Sequence, residues 1–493
     1  MRIYPGPKEF SELSNIAKRV PVCGVKTVPN LSPPLLYNEL FMDNDESFLF
    51  ESGKGPEETS RYSFMGTSNL NSIKIQNKKA CLYDEDGLGG TVMEPMEGLD
   101  RLNFDDEIKS VNYLPHFWGG WVGVIGYELA GLFENLSPRE KDDFGIPDLY
   151  MIQVDRLVVY DHKEKLLKYI VSNADTSHYS ELVEEIQNFW KRIEKILPHS
   201  TGANPRSKES LKTGNGLQSN MSRKEYVECV QRAKNYIEEG DIYQANLSQR
   251  FESSYQGDPF NLFLRLRSVN PSPFSGYLKL KDFSIVSSSP ERLVKVENSK
   301  IETRPIAGTR PRSNDPEIDK SLSAELLLNE KERAEHLMLV DLERNDLGRI
   351  CKTGSVSVSD LMFLEQYSHV SHIVSNIKGE LKPEVSVRDI LRAVFPGGTI
   401  TGCPKVRCME IIGELETESR GPYCGSFGYI GFSRYMDMNI IIRSIVLKNG
   451  KACFNVGAGI VADSCPEKEY METLDKAEAM IQVLSEQNNG CHE

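Results

Sequence analysis

Long apolar runs are missing from this chain of 493 residues. No stretch approaches the roughly 20 apolar residues that a helix needs to span a bilayer. The first residues, Met-Arg-Ile-Tyr-Pro-Gly-Pro-Lys, hold no apolar core that could serve as an export signal. Positive charge is also short: 58 Lys and Arg face 72 Asp and Glu, a net charge of −14. That balance argues against non-specific nucleic-acid binding and against a basic membrane-surface role. It leaves room for an anionic substrate, because one pocket can be locally positive on an acidic protein. Cysteine is sparse, with 10 in the chain. Cys403 and Cys408 form the closest pair, and no second pair or adjacent His completes a zinc pattern. The thiols read as small buried apolar groups in a reducing cytoplasm.

The composition is that of a globular protein, and the length allows roughly two to four domains. Residues 1–197 alternate apolar runs with turn signals. Residues 198–222 are polar and rich in Gly, Asn and Ser, as expected of a flexible connection. Residues 223–485 are dense in motifs, and 486–493 form a tail. Arg223 to Glu239 carries Tyr226, Val227, Val230, Ala233 and Ile237 at helical spacing. Strand-like stretches include Trp118 to Tyr127, Ile242 to Phe251, Ser371 to Ile377 and Met438 to Val446. Ser323 to Leu347 and Glu467 to Ser485 read as helical. The expectation is a mixed α/β chain.

Phe395-Pro-Gly-Gly-Thr-Ile-Thr-Gly-Cys-Pro-Lys-Val-Arg-Cys-Met-Glu410 cannot continue a helix or a central strand. It reads as a loop held close to something, then the first turns of a helix. Glu291, in Ser288-Ser-Pro-Glu-Arg, is placed for a general acid or for a helix N-terminus. Glu335 lies in a charged helical stretch on one face with Leu339 and Leu342. Glu472 precedes Lys476 by one turn of the closing helix. Two glutamates from different helices could hold Mg²⁺ together with waters and a substrate carboxylate. Arg443, within an apolar strand-like run, needs an anion, and its planar fork suits a carboxylate. Gly457-Ala-Gly459 follows a strand as a bulge or as a set of N–H donors to a carboxylate. His372 occupies a strand position.

These segments together resemble the chorismate-utilising enzymes, the family of anthranilate synthase component I, aminodeoxychorismate synthase component I and isochorismate synthase. The match is dense over 222–485 and looser before it, through Phe48-Leu-Phe-Glu-Ser and Ser60-Arg-Tyr-Ser-Phe-Met-Gly. The resemblance implies one large α/β (α+β) unit, two packed β-sheets surrounded by helices. It implies that Glu335 and Glu472 bind Mg²⁺, which anchors the ring carboxylate of chorismate. Glu291 would be the acid that helps the C4 hydroxyl leave. Arg443, Tyr429 and the N–H groups near Gly457 and Gly459 would hold the enolpyruvyl carboxylate, with Lys476 near the ring carboxylate. Thr309 and Thr399 would line the ring, and His372 would stand close to the reacting face.

Gln244, in Gly240-Asp-Ile-Tyr-Gln-Ala-Asn-Leu, stands where the hydrating members resemble one another in having a Lys that activates water. A neutral Gln cannot be that base, whereas ammonia is already a nucleophile, so an aminating enzyme is expected. The product is left between two branches. Ala307 resembles the anthranilate synthases, where many aminodeoxychorismate synthases carry a Lys. Phe395-Pro-Gly-Gly-Thr and Gln244-Ala-Asn-Leu resemble the aminodeoxychorismate branch, which is the expected one. A tryptophan site like that of anthranilate synthases would use Glu51, Ser52 and Pro271. In Asn270-Pro-Ser-Pro-Phe-Ser-Gly, however, Ser275 replaces a large apolar residue. No glutaminase module is recognisable, so the resemblance implies a separate glutamine amidotransferase subunit that supplies ammonia.

Overall fold

Strands buried on both faces dictate the architecture. In Ser47–Glu51, Phe48 and Phe50 belong to one apolar cluster and Leu49 to another. In Gly120–Ile125, Val122 and Val124 face one way, Trp121 and Ile125 the other. Successive side chains of a strand point to opposite faces, so each such strand needs a partner layer on either side. The computed structural model describes residues 1–17, 19–51, 61–84, 90–104, 111, 113–136, 144–172, 178–200, 216–313, 315–366 and 370–485. Among them, two antiparallel sheets of 13 and 12 strands pack face to face over the cluster containing Phe48, Val122, Tyr150, Ile285 and Phe427. Helices cover the outer faces, as expected. Tyr179–Ser200 lies over the first sheet and Glu330–Ile350 over the second.

Both sheets draw on both halves of the chain. Ser47–Glu51 pairs with Phe274–Leu280, and Gly120–Ile125 with Ser426–Gly431. Strands from before residue 197 therefore pair with strands from after it, within one fold. The helix before it runs on to Ser200, and Gln218–Ser219 already pairs with the Gln244–Ser254 strand. Residues 201–215 and the tail 486–493 lie outside the described residues.

The Arg223–Glu238 helix starts at a reciprocal cap between Ser222 and Glu225. The expected helix over 323–347 is two helices, Pro316–Leu328 and Glu330–Ile350. Asn329 leaves helical geometry and caps the second with its side chain on the Glu332 N–H. The expected strand over 438–446 is also divided. Tyr435–Asn439 belongs to the 12-stranded sheet and Ser444–Lys448 to the 13-stranded sheet. Arg443 lies in the crossing between them, with φ +50°, not inside a strand. A second crossing runs beside it. Phe283–Ser289 pairs in the 13-stranded sheet and Arg292–Glu297 in the 12-stranded one, with Pro290 and Glu291 between. Proline cannot donate to a ladder, which suits it to this switch.

Candidate active site

The two crossings are laced together. The Ile440 N–H donates to the Glu291 carbonyl at 3.0 Å, and the Ser288 N–H to the Arg443 carbonyl at 3.2 Å. On one side the Ser287 and Ser444 hydroxyls meet at 2.7 Å, and on the other Arg292 stands opposite Asn439. This lacing, invisible in sequence spacing, brings Glu291 and Arg443 into one site.

Burial pushes the Glu291 carboxyl up to about 7. The Thr399 hydroxyl, the Ile306 N–H, and the charges of Arg443 and Lys476 pull the other way without winning. Glu291 is thus no helix-capping acid but a buried one. Thr399 arrives on the short 3₁₀ turn Gly398–Ile400 of the glycine-rich loop. That loop is held close, as its composition implied, and the Lys405–Leu415 helix follows it. The Asn246 N–H donates to Thr401 O, and the Tyr243 N–H to Cys403 O.

Gly457 and Gly459 lie within the strand Lys451–Ile460, not after it. They pair with Ser248 and Asn246 in unbroken register, so there is no bulge. Beyond Cys453 the edge facing Ser444–Lys448 has no strand pairing among the described residues. Lys476, from the closing helix Pro466–Ser485, donates to the Gly457 carbonyl at 3.0 Å and pairs with Glu472 at 2.8 Å. A Cβ on Gly457 would sit 2.5 Å from Asn246 Oδ1 and 2.8 Å from the Tyr423 hydroxyl. One on Gly459 would sit 2.5 Å from Gln244 Nε2. Gln244, from the strand paired on the other edge, thereby lies over Gly459, with its Oε1 buried and unbonded among the described residues.

His372 is buried and its imidazole is pushed down to about 4, first by burial and then by Arg443. Its Nδ1 lies 3.1 Å from the Gly308 carbonyl and 3.0 Å from the Thr309 hydroxyl. A carbonyl only accepts, so Nδ1 carries the proton and Nε2 the lone pair. Thr309 therefore orients His372, and Ala307 lies opposite Ile373 beside the bulge at Gly308.

Glu335 is pushed up by burial, and by Glu332, Glu469 and Glu472 against the pull of Lys331. The structure so brings Glu335 and Glu472 into mutual range from two distant helices. Among the described residues no three acidic, His or Cys side chains form a closed metal-ligand group. Two carboxylates under like-charge repulsion fit a dication that keeps most of its waters.

Residues 45–482 match the family of chorismate binding enzymes. The chain belongs to that family. Anthranilate synthase component 1 of Acetivibrio thermocellus is 39% identical over 489 residues, 98% of this chain and 99% of that protein. Aminodeoxychorismate synthase component 1 of Bacillus subtilis (strain 168) is 40% identical over 450 residues, 91% of this chain and 93% of that one. The crystal structure of anthranilate synthase component I from Streptococcus pneumoniae TIGR4 superposes with a TM-score of 0.75 at 36% identity, covering 86% of this chain and 92% of that chain.

In this chorismate-binding enzyme one expected site residue is elsewhere. Tyr429 stacks on Phe117 at 4.3 Å and on Tyr435 at 6.0 Å, in the aromatic filling between the sheets. Its ring lines a different cavity, of about 530 Å³, with Phe50, Glu51, Phe64, Pro273 and Ser275. Tyr423 takes its expected place over Gly457, and the turn Gly421-Pro-Tyr-Cys-Gly was the signal that could have found it. Of the expected tryptophan contacts, Glu51 lines that cavity but is bound by Arg267 at 2.5 Å. Pro273 rather than Pro271 reaches it. Ser52 lies outside the described residues.

Sequence reasoning also missed a buried polar frame. Arg420 pairs with Glu416 at 2.7 Å and donates to the carbonyls of Ile400 at 2.9 Å and Asn246 at 2.6 Å. Lys405 meets Asp346 at 2.6 Å. Glu343 on the Glu330–Ile350 helix is half-buried, with its Oε2 shielded from solvent. No helix among the described residues is long and apolar enough to cross a membrane.

Proposed function

We propose that this enzyme aminates chorismate with ammonia, giving 4-amino-4-deoxychorismate and water. The observation that carries the reading is the Glu291 carboxyl, held up to about 7 inside a site that also contains Arg443 and Lys476. Such a group is an acid beside fixed positive charge, which suits loss of a hydroxyl from a dianionic substrate. Gln244, over Gly459, offers no base to activate water. Arg443, Tyr423 and the Gly457–Gly459 edge would hold the enolpyruvyl carboxylate. Glu335 and Glu472 would hold Mg²⁺, which supplies charge to the ring carboxylate when bound. Protonation by Glu291 lets the C4 hydroxyl depart as water, and the proton shed by the added ammonia restores the balance. By likeness to proteins named component 1, a separate amidotransferase subunit would deliver ammonia from glutamine.

Support for the C4 product is local. A Cβ on Gly397, as in the Pro-Ala-Gly-Thr form of the anthranilate branch, would come within 3.0 Å of Ile440 Cδ1 beside Glu291. Ser275 puts a small polar side chain in the second cavity where a tryptophan site of the anthranilate branch would have a large apolar one, which supports weaker tryptophan binding. Ala307 and the names of most relatives favour the second reading, anthranilate plus pyruvate.

The test is to incubate the purified chain with chorismate, Mg²⁺ and an ammonium salt and to read product mass and fluorescence. Aminodeoxychorismate keeps the enolpyruvyl group and yields p-aminobenzoate only after a lyase is added. Fluorescent anthranilate selects the second reading. No consumption of chorismate refutes both.

A further inference from the structure

A carboxylate from the first part of the chain holds the turn that carries Tyr423. Glu128 lies on the short 3₁₀ helix Tyr127–Leu132, just after the Gly120–Ile125 strand. Its Oε1 accepts from the Arg420 N–H at 2.8 Å and its Oε2 from the Gly421 N–H at 2.9 Å. The Gly421 carbonyl in turn accepts from the Tyr127 N–H at 2.7 Å. Two successive residues, Tyr127 and Glu128, so grip Gly421 by its carbonyl and its N–H. Gly421 has φ +56°, a left-handed backbone that glycine adopts without strain, and it turns the chain into Pro422. Tyr423 follows, its N–H donating to the Arg420 carbonyl at 3.1 Å and its hydroxyl standing over Gly457. The far end of the turn is tied to the crossing that carries Arg443. There the Cys424 N–H donates to the Ile441 carbonyl, and the Ile441 N–H to the Gly425 carbonyl, both at 2.9 Å. Tyr423 thus hangs between two anchors, one at Arg443 and one at Glu128. Hydrogen bonds from N–H groups to a carboxylate are the stronger kind. Glutamine, with one acceptor oxygen, could not serve both N–H groups in this geometry.

We propose that Glu128 is a positioning residue for substrate binding: acting through the Gly421–Gly425 turn, it sets the Tyr423 hydroxyl against the Gly457 edge and so fixes where the enolpyruvyl carboxylate is held. The proposal rests on the reading of Tyr423 and that edge as the carboxylate site. With one anchor loosened, the turn pivots on the other and the hydroxyl leaves its place. A carboxylate remote from the reacting C4 is held alike in the ground state and the transition state. Loss of that hold therefore moves KM rather than kcat.

The test measures ammonium-dependent turnover of chorismate by wild type, Glu128→Gln, Tyr423→Phe and the double variant. Glu128→Gln is expected to raise KM for chorismate about tenfold, the scale of one lost bond to a charged group. Its kcat should stay within about twofold of wild type. With the Tyr423 hydroxyl already removed, the same substitution should raise KM by less than about twofold, because changes that act through one group do not add. An unaltered KM in Glu128→Gln overturns the proposal. So does a loss carried mainly by kcat. An equal rise in both backgrounds marks Glu128 as merely structural and overturns it too. If Tyr423→Phe binds chorismate as wild type does, the carboxylate reading falls and the proposal with it. That outcome is distinct from a weakly binding Tyr423→Phe beside an unaffected Glu128→Gln. Should Glu128→Gln not fold, Glu128→Asp shortens the reach by one methylene and keeps both oxygens. Its rise in KM must likewise vanish in the Tyr423→Phe background; a rise that persists there, or no rise at all, overturns the proposal.

Discussion

Glu291 and Gln244 could be singled out in the linear chain, yet what each can do depends on groups remote from it in sequence. The acid owes its raised ionisation to burial at a crossing, partly offset by Arg443, 152 positions later in the chain. Glu291→Gln keeps shape and removes the proton. Ammonium-dependent turnover is expected to fall by about 10²- to 10⁴-fold, and a loss under about threefold would refute the role. Gln244→Lys introduces a base at the Gly459 edge. Isochorismate should then appear by mass spectrometry in the absence of ammonium; wild type should make none. Tyr423→Phe removes the hydroxyl over Gly457 and should raise KM for chorismate more than it lowers kcat. Sequence singled out Tyr429 instead because both tyrosines follow glycine-rich turns. Tyr423 sits in the turn before the Ser426–Gly431 strand and reaches Gly457, whereas Tyr429 sits within that strand and turns into the aromatic core.

Helices and loops are held to the site by buried ion pairs. Arg420 ties the glycine-rich loop, through Ile400, to the strand beginning at Gln244, through Asn246, while Glu416 also accepts from the Ser248 N–H at 2.9 Å. Removing one member of such a pair leaves an uncompensated charge. Arg420→Met is expected to cost about 3–5 kcal/mol in urea unfolding, and adding Glu416→Gln should recover part of that loss. A double variant no more stable than the single one would show that the cost lies elsewhere. At the acidic ends of two other helices Glu332, Glu335, Glu469 and Glu472 repel one another, a repulsion that the proposed Mg²⁺ would relieve. Mg²⁺ should therefore raise the Tm of wild type and leave Glu335→Gln unshifted. The break at Asn329 was hidden from periodicity because the charged pattern continues across it. Only the capping geometry separates the two helices.

Across the molecule, burial sets the response to acid. His336 is 0% exposed and His372 2%. Burial holds both imidazoles down to about 4. The unfolded chain takes up these protons near 6.5 while the native state refuses them. Stability is therefore intact above about 6.5 and is lost as pH falls toward 4, by about 1.4 kcal/mol per unit for each histidine. Urea midpoints measured between pH 7 and 4.5 should show this slope, and His336→Gln should reduce it. Much of the candidate site was legible in the chain: Glu291, Glu335, Glu472, Arg443 and the glycine-rich loop stand out by residue type and by likeness to the family, and the helix that Ser222 caps by its spacing. The pairing of partners was not. Two adjacent crossings between stacked sheets join Glu291 to Arg443, and strands from the first part of the chain pair with strands from the second. Backbone hydrogen bonds between residues some 150 positions apart settle that arrangement, and no period or motif along a strand records which neighbour it will take.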